Sequence, residues 1–428
     1  MTGSSSIEAL VQRAQQLVQA GDRTGALPIW EEILEQAPRH PGALNALGNF
    51  ALARGNTKRA CALLADAVAE EPAQPALRFN YASALKAKGD VEAALQQLNA
   101  ALAIDPYFVQ AIFQKAVLYE DVGQHQSAAR LFRDFLDCAP EDIRASEQFR
   151  PAMDRATASI RRDDAALAGS IAAMLDKGGH PQNVRVQESI GALIGQGKIY
   201  TAEPTFLAVS RLPAIPFFDR GLFGWLERLE AATAEIRSEL EQIVNADPNG
   251  AEFSPYVANP PGVPLNQWAE LDHSSRWSAF HLWRHGQRID SNCALAPQTA
   301  ALLETLPLIS LTGRAPNAFF SLLKPATRIP PHTGVTNIRS TVHLPLIVPP
   351  GCGFRVGAET RAWEAGKAWV FDDTIEHEAW NESDAPRYIL IFDIWNPALT
   401  YPEQQQFAAA LTGYDAHYGQ AEAWSGTS

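Results

Sequence analysis

Two histidines in the C-terminal half of the chain, His332 and His377, each stand at the edge of a strand-like run. Arg387 heads the next apolar run, Tyr388 to Phe392. Neutral imidazole suits iron, and a guanidinium fork grips a carboxylate through two parallel hydrogen bonds. Two imidazoles on facing strands, with an arginine one strand further on, would make a non-haem iron centre with an anion clamp. The usual oxygenase set adds a carboxylate on the same face. Here the residue two places after His332 is Gly334 and supplies none. Taken singly, a histidine is more often structural than a ligand, so spacing alone leaves both readings open. Arg339, Thr341 and His343 alternate along one run and so face one side of a strand.

The elements that must hold these residues are strands. Trp277 to Trp283, Ala318 to Leu323, Ser340 to Val348, Lys367 to Phe371 and Arg387 to Trp395 read as strand-like runs, most of them separated by Pro- and Gly-rich turns. Few long helices intervene; the clear one is amphipathic, from about Leu222 to Val244. The pattern predicts an antiparallel double-sheet or jelly-roll barrel.

The first part of the chain repeats. Gly21, Gly55, Gly89 and Gly123 share a period of 34 residues with Ala26, Ala60, Ala94 and Ala128, and with Pro38, Pro72, Pro106 and Pro140. Small residues recur in the same register at Ala14, Gly48, Ala82 and Ala116. The pattern resembles tetratricopeptide repeats. The small residues let paired helices approach, the glycine ends the first helix in a left-handed conformation, and the proline follows the second. Four repeats occupy residues 7–142, a helical cap and linker 143–203, and a catalytic domain 204–428. The prolines Pro204, Pro213 and Pro216 set the second boundary. The chain is thus a multidomain α + β protein with an α-solenoid followed by a barrel. A solenoid offers a concave surface to a protein or peptide.

A net charge of −13 argues against nucleic acid as a partner. Cys61, Cys138, Cys293 and Cys352 form no CxxC and read as free thiols in a reducing compartment. No secretory signal and no run of about 18 apolar residues is visible, so a cytoplasmic protein without a membrane anchor is expected. Oligomeric state is left open.

HTGVTNIR, VHLPLIVP, FDDTIEHEAWNES and APRYILIFDIWNP, with WSAFHLWRHGQRIDSNCALAPQTAALLETLP upstream, resemble the aspartyl/asparaginyl β-hydroxylase family of 2-oxoglutarate-dependent oxygenases. The resemblance covers about residues 216–400. It implies a double-stranded β-helix (jelly-roll, cupin-like) barrel that uses Fe(II), 2-oxoglutarate and O2. That family binds iron through two histidines, the first followed two places on by glycine, so the resemblance implies that His332 and His377 are the metal ligands and explains Gly334. It also implies Arg387 and Ser321 on the distal carboxylate of 2-oxoglutarate, His343 near its other end, and Asp373 as an acid that orients metal-bound water. Family members often carry arginine where this chain has Thr341; Arg339 is then a candidate for neutralising the proximal carboxylate. The implied reaction is hydroxylation of an unactivated C–H bond, the β-carbon of Asp or Asn in a protein or peptide presented with help of the repeats. The alternatives are hydroxylation of a lipid acyl chain or small molecule, and a non-catalytic repeat scaffold.

Overall fold

The 34-residue period becomes pairs of helices in the structure, a computed structural model that describes residues 2–179, 183–246 and 252–419. The pairs are α1 (Thr2–Gln19) with α2 (Arg23–Gln36), α3 (Pro41–Ala53) with α4 (Thr57–Glu70), α5 (Pro75–Lys88) with α6 (Val91–Ile104), and α7 (Val109–Asp121) with α8 (His125–Cys138). Gly21, Gly55, Gly89 and Gly123 all have positive φ, from +77° to +90°, with nothing near a would-be Cβ. Conformation, not space, demands glycine there. Gly48 is the opposite case: a Cβ would meet Leu64 Cγ at 2.6 Å, so there the need is close helix approach. The side chains of Asp22, Asn56 and Asp90 cap the second helices of their pairs.

After α9 (Glu141–Ala145) comes the long α10 (Arg150–Gly178), which buries Ala156 and Ser159 and leaves the rest of its surface mostly open. Ala156 joins the core of α7 and α8.

The chain divides into two compact units between Pro181 and Gln182. The boundary expected near residue 203 falls inside the second unit. Ala202 bridges Ile375 and Glu203 N–H donates to Thr374 O, so this stretch is stitched to the β-rich part.

In the second unit, α11 (Val184–Leu193) precedes α12 (Leu226–Ala231) and α13 (Thr233–Ala246). The single amphipathic helix expected over 222–244 is thus broken at Ala232. There the Thr233 hydroxyl donates to Glu230 O at 2.6 Å. The strands are β1 (Ser254–Pro255), β2 (Trp277–Arg284), β3 (Gln287–Arg288), β4 (Ala318–Leu323), β5 (Thr327–His332), β6 (Arg339–Ile347), β7 (Cys352–Val356), β8 (Glu359–Ala362), β9 (Trp369–Phe371), β10 (His377–Asn381) and β11 (Arg387–Trp395). Two short helices, α14 (Asp290–Leu295) and α15 (Pro297–Glu304), follow β3, and α16 (Tyr401–Tyr418) follows β11.

Among the described residues the strands form two antiparallel sheets. One has seven strands in the order β1-β2-β4-β11-β6-β9, with β3 on β2; the other has four, β5-β10-β7-β8. From β4 to β7 the chain passes from sheet to sheet at every step. Helices α12, α13 and α15 cover one face of the large sheet, burying Leu229, Leu240 and Leu303 against Phe280, Phe320, Leu344 and Leu390. The period of two does the sorting: Val342, Leu344 and Leu346 of β6 join that core, whereas Arg339, Thr341 and His343 line a cavity on the other face.

Candidate active site

The cavity is lined from both sheets. β11 contributes Arg387, Ile389, Ile391 and Asp393; β4 contributes Phe319 and Ser321; β5 and β10 contribute His332 and His377. All seven residues singled out in the sequence line it: Ser321, His332, Arg339, His343, Asp373, His377 and Arg387. One expectation is corrected. His332 and His377 are not on facing strands; they are cross-strand partners on β5 and β10 of the same small sheet, and Arg387 reaches them from the other sheet. Antiparallel pairing is what brings the two rings together, with centroids 4.1 Å apart.

Each imidazole is oriented the same way. His332 Nδ1 lies 2.8 Å from Pro330 O and His377 Nδ1 lies 3.0 Å from Ile375 O. A carbonyl can only accept, so Nδ1 carries the proton and Nε2 keeps a bare lone pair. Burial pushes His332 down to about 3, with His377 beside it adding to the shift, and burial likewise pushes His377 down to about 4. Both rings are therefore neutral, the form that ligates metals.

Gly334 has a steric reason to be glycine. A Cβ there would lie 2.5 Å from the Asp373 carboxylate. The place that a side chain at 334 would fill is occupied by an acid from another loop, whose backbone carbonyl accepts from Gly334 N–H at 2.7 Å. Asp373 Oδ2 accepts from Arg339 Nη2 at 2.9 Å, while its Oδ1 is buried with no partner. The adjacent Asp372 does the local capping, accepting from Thr374 N–H and hydroxyl.

Arg339 is paired twice, to Asp373 and, through Nη1 at 3.1 Å, to Asp393. Burial pushes its guanidinium down, but Asp393 and Asp373 outweigh that and hold it above its ordinary value. The acids therefore already occupy the arginine considered for a proximal carboxylate. Arg387 is different. Nη2 donates to Ser321 Oγ at 3.3 Å and the guanidinium lies over the Trp363 ring, yet no acid pairs with it among the described residues. Burial pushes it down to about 10. Ser321 Oγ also accepts from Trp277 Nε1 at 3.3 Å, which leaves its own proton to donate elsewhere. His343 lines the same cavity, its Nδ1 buried and unpartnered; burial and then Arg387 hold it well below its ordinary value.

Residues 230–397 match the family described as Aspartyl/Asparaginyl beta-hydroxylase, and residues 17–78 and 51–106 match the tetratricopeptide repeat. The second unit carries an aspartyl/asparaginyl β-hydroxylase domain. The chain is 41% identical over 152 residues to the human aspartyl/asparaginyl beta-hydroxylase, covering 35% of this chain and 20% of that protein. It is 30% identical over 199 residues to the ornithine lipid ester-linked acyl 2-hydroxylase of Rhizobium tropici, covering 46% of this chain and 66% of that protein. The chain thus spans from a fifth to about two thirds of the length of these relatives. Among solved structures, MamA protein is 18% identical with a TM-score of 0.32, covering 42% of this chain and 98% of that one.

Within the hydroxylase domain, sequence reasoning missed Asp393, Trp277 and Asn317. Asp393 carried a readable signal, being an acid inside an apolar strand at even spacing from Arg387 and so on the same face. Trp277 and Asn317 carried none, since their roles depend on the neighbours that folding brings them. Among the described residues no three His, Cys, Asp or Glu side chains group as a metal cage, and no helix is long and apolar enough to cross a membrane.

Proposed function

We propose that this chain is an Fe(II)- and 2-oxoglutarate-dependent hydroxylase whose target is the β-carbon of an Asp or Asn residue in a protein or peptide, with the repeats holding that partner. The observation that carries the reading is the pair of neutral, Nε2-bare imidazoles beside a buried arginine that no acid neutralises. The two-sheet winding supports a jelly-roll reading of the domain, and the four free thiols fit a reducing, cytoplasmic setting.

The residues fit iron. Two neutral imidazoles suit it, and the absence of a third protein ligand leaves positions for a chelating keto acid. The unpartnered Asp373 Oδ1 marks a polar place beside the pair that wants a donor. Iron, when bound with 2-oxoglutarate and dioxygen, would supply the oxidising power, with succinate and CO2 as co-products of placing one oxygen atom in a C–H bond of the substrate.

The chain's own groups bind, orient and shield. Arg387 and the Ser321 hydroxyl hold the distal carboxylate, gaining the counter-charge that the guanidinium lacks. His343, which lines the same cavity with its Nδ1 buried and unpartnered, would face the other end of the keto acid. Asp373 Oδ1, buried and unpartnered, would accept a hydrogen bond from water at the iron while Arg339 fixes the other oxygen. Trp268 and Trp277, whose ring centroids lie 5.0 and 6.4 Å from that of His332, keep water from one flank.

The test is succinate formation by anaerobically Fe(II)-loaded protein given 2-oxoglutarate and then air, against His377→Ala. Succinate that requires iron and His377 is expected; equal succinate from the variant would sink the site assignment. A second reading, hydroxylation of a lipid acyl chain, draws support from the similarity to the Rhizobium tropici protein. Peptide-stimulated succinate favours the first reading, and stimulation by lipid alone the second.

A further inference from the structure

The cavity has two ends, and β11 measures the distance between them. Arg387 and Asp393 both line it six residues apart, about 20 Å of extended strand. A five-carbon diacid held at Arg387 cannot reach the far end. We propose that the hairpin between β2 and β3 makes a second anion site there, which binds an acidic side chain flanking the target residue of a peptide substrate. This rests on the reading of Arg387 as the co-substrate's clamp.

Arg284 closes β2 at the open end of the cavity: it lines the cavity and is exposed, whereas Arg387 is 1% exposed. Its guanidinium has no acid and no hydrogen-bond partner among the described residues. The acids nearby are engaged. Asp393 Oδ2 accepts from Arg339 Nη1 and from the backbone and side chain of Asn317, each at 3.1 Å. Asp373 is engaged by Arg339. On the same strand His281 points into the cavity with its Nδ1 buried and unpartnered. The chain as a whole carries −13, so a cation left free at a cavity opening is placed against the general trend.

The turn is built with strain. His285 and Gly286 form a two-residue loop with φ of +51° and +79°, the signature of a type I′ hairpin. Glycine is required at the second position, where a Cβ would meet Ala315 O at 2.8 Å. At the first, Asn or Gly is the ordinary choice and histidine is a costly one. Asn317 holds it, accepting from His285 N–H at 3.0 Å while donating to Asp393. The strained histidine is thereby fixed beside Arg284, on the same network that sets Arg339. An imidazole donor and a free guanidinium presented together suit a carboxylate.

The experiment uses the full chain, anaerobic, with Fe(II) and saturating 2-oxoglutarate. Two pentapeptides share a central asparagine; glutamate flanks it in one and glutamine in the other. Dissociation constants are compared by saturation-transfer NMR for the native chain and for Arg284→Gln/His285→Asn, whose folding is checked by thermal melting. The expected result is binding of the glutamate peptide about threefold to tenfold tighter, a ratio that falls to near one in the variant. A ratio of one in the native chain, an unchanged ratio in the variant, or an acid preference seen with anionic vesicles and not with peptides overturns the proposal. Calorimetry of 2-oxoglutarate, with Arg387→Met as control, separates the two readings. No binding, or binding that survives the control, overturns the clamp and this proposal with it; binding lost in the control, with no acid preference, overturns the hairpin site alone.

Discussion

Arg339 and Arg387 line one cavity and are both buried, 6% and 1% exposed, yet their surroundings are opposite. Arg339 sits between two carboxylates that stabilise its charge. Arg387 has a hydroxyl and an indole ring, and burial pulls it down to about 10. A buried charge with a counter-charge holds shape, because removing either partner strands the other. A buried charge without one is costly to keep and is held for a ligand. The first arginine therefore maintains the geometry of the Asp373 and Asp393 loops, and the second waits for an anion.

The comparison can be broken at its stronger end. Arg339→Met should cost about 3–5 kcal/mol in urea denaturation, because two buried acids lose their cation. Adding Asp373→Asn and Asp393→Asn should recover more than half of that, since neutral amides cost less to bury. A single variant within about 1 kcal/mol of native would mean that the pairs are decorative. Arg387→Met should behave differently: stability changes by about 1 kcal/mol or rises, while calorimetric 2-oxoglutarate binding weakens about a hundredfold or more. Equal loss of stability in the two variants would erase the distinction.

The same division governs what the sequence made legible. The large sheet was readable because its strands alternate buried apolar residues with cavity-facing ones, as in Val342, Leu344 and Leu346 against Thr341 and His343. Of the four strands of the small sheet, none was among the strand-like runs. β5 contains Pro330 and Pro331, which read as a turn, but it is an edge strand, where a missing N–H is tolerated. β7 begins Cys-Gly, and Gly353 is there because Trp380 packs over it, where a Cβ would run into the indole ring. β8 is half exposed and β10 is polar, His-Glu-Ala-Trp-Asn. The histidines could be named from their motifs. Their pairing across β5 and β10 could not, because register is a property of the assembled sheet.

A third test turns on pH. Burial, then Arg284 and His285, push His281 down to about 4. The unfolded chain takes up a proton at the ordinary 6.5, while the folded chain resists until about 4. Between those values the unfolded state binds more protons, so stability falls as pH falls, and nothing is gained above 6.5. For metal-free protein the loss from this residue should be about 1–3 kcal/mol between pH 7 and 4. Urea midpoints at stepped pH should show a shallower slope for His281→Gln. An unaltered slope would place the ring in water and remove it from the cavity wall.

The smallest effect concerns the turn. At φ +51°, asparagine is better suited than histidine, so His285→Asn should stabilise the chain by about 0.5–1 kcal/mol and raise the melting temperature by about 1–3 °C. The Asn317 contact is to the backbone N–H and survives the change. A residue kept for stability should not improve on replacement. A gain in melting temperature combined with a loss of discrimination for the acidic peptide would mark His285 as strain retained for binding, the counterpart at the open end of the uncompensated charge of Arg387. A fall in melting temperature would show that the ring packs, and that the turn pays nothing for function.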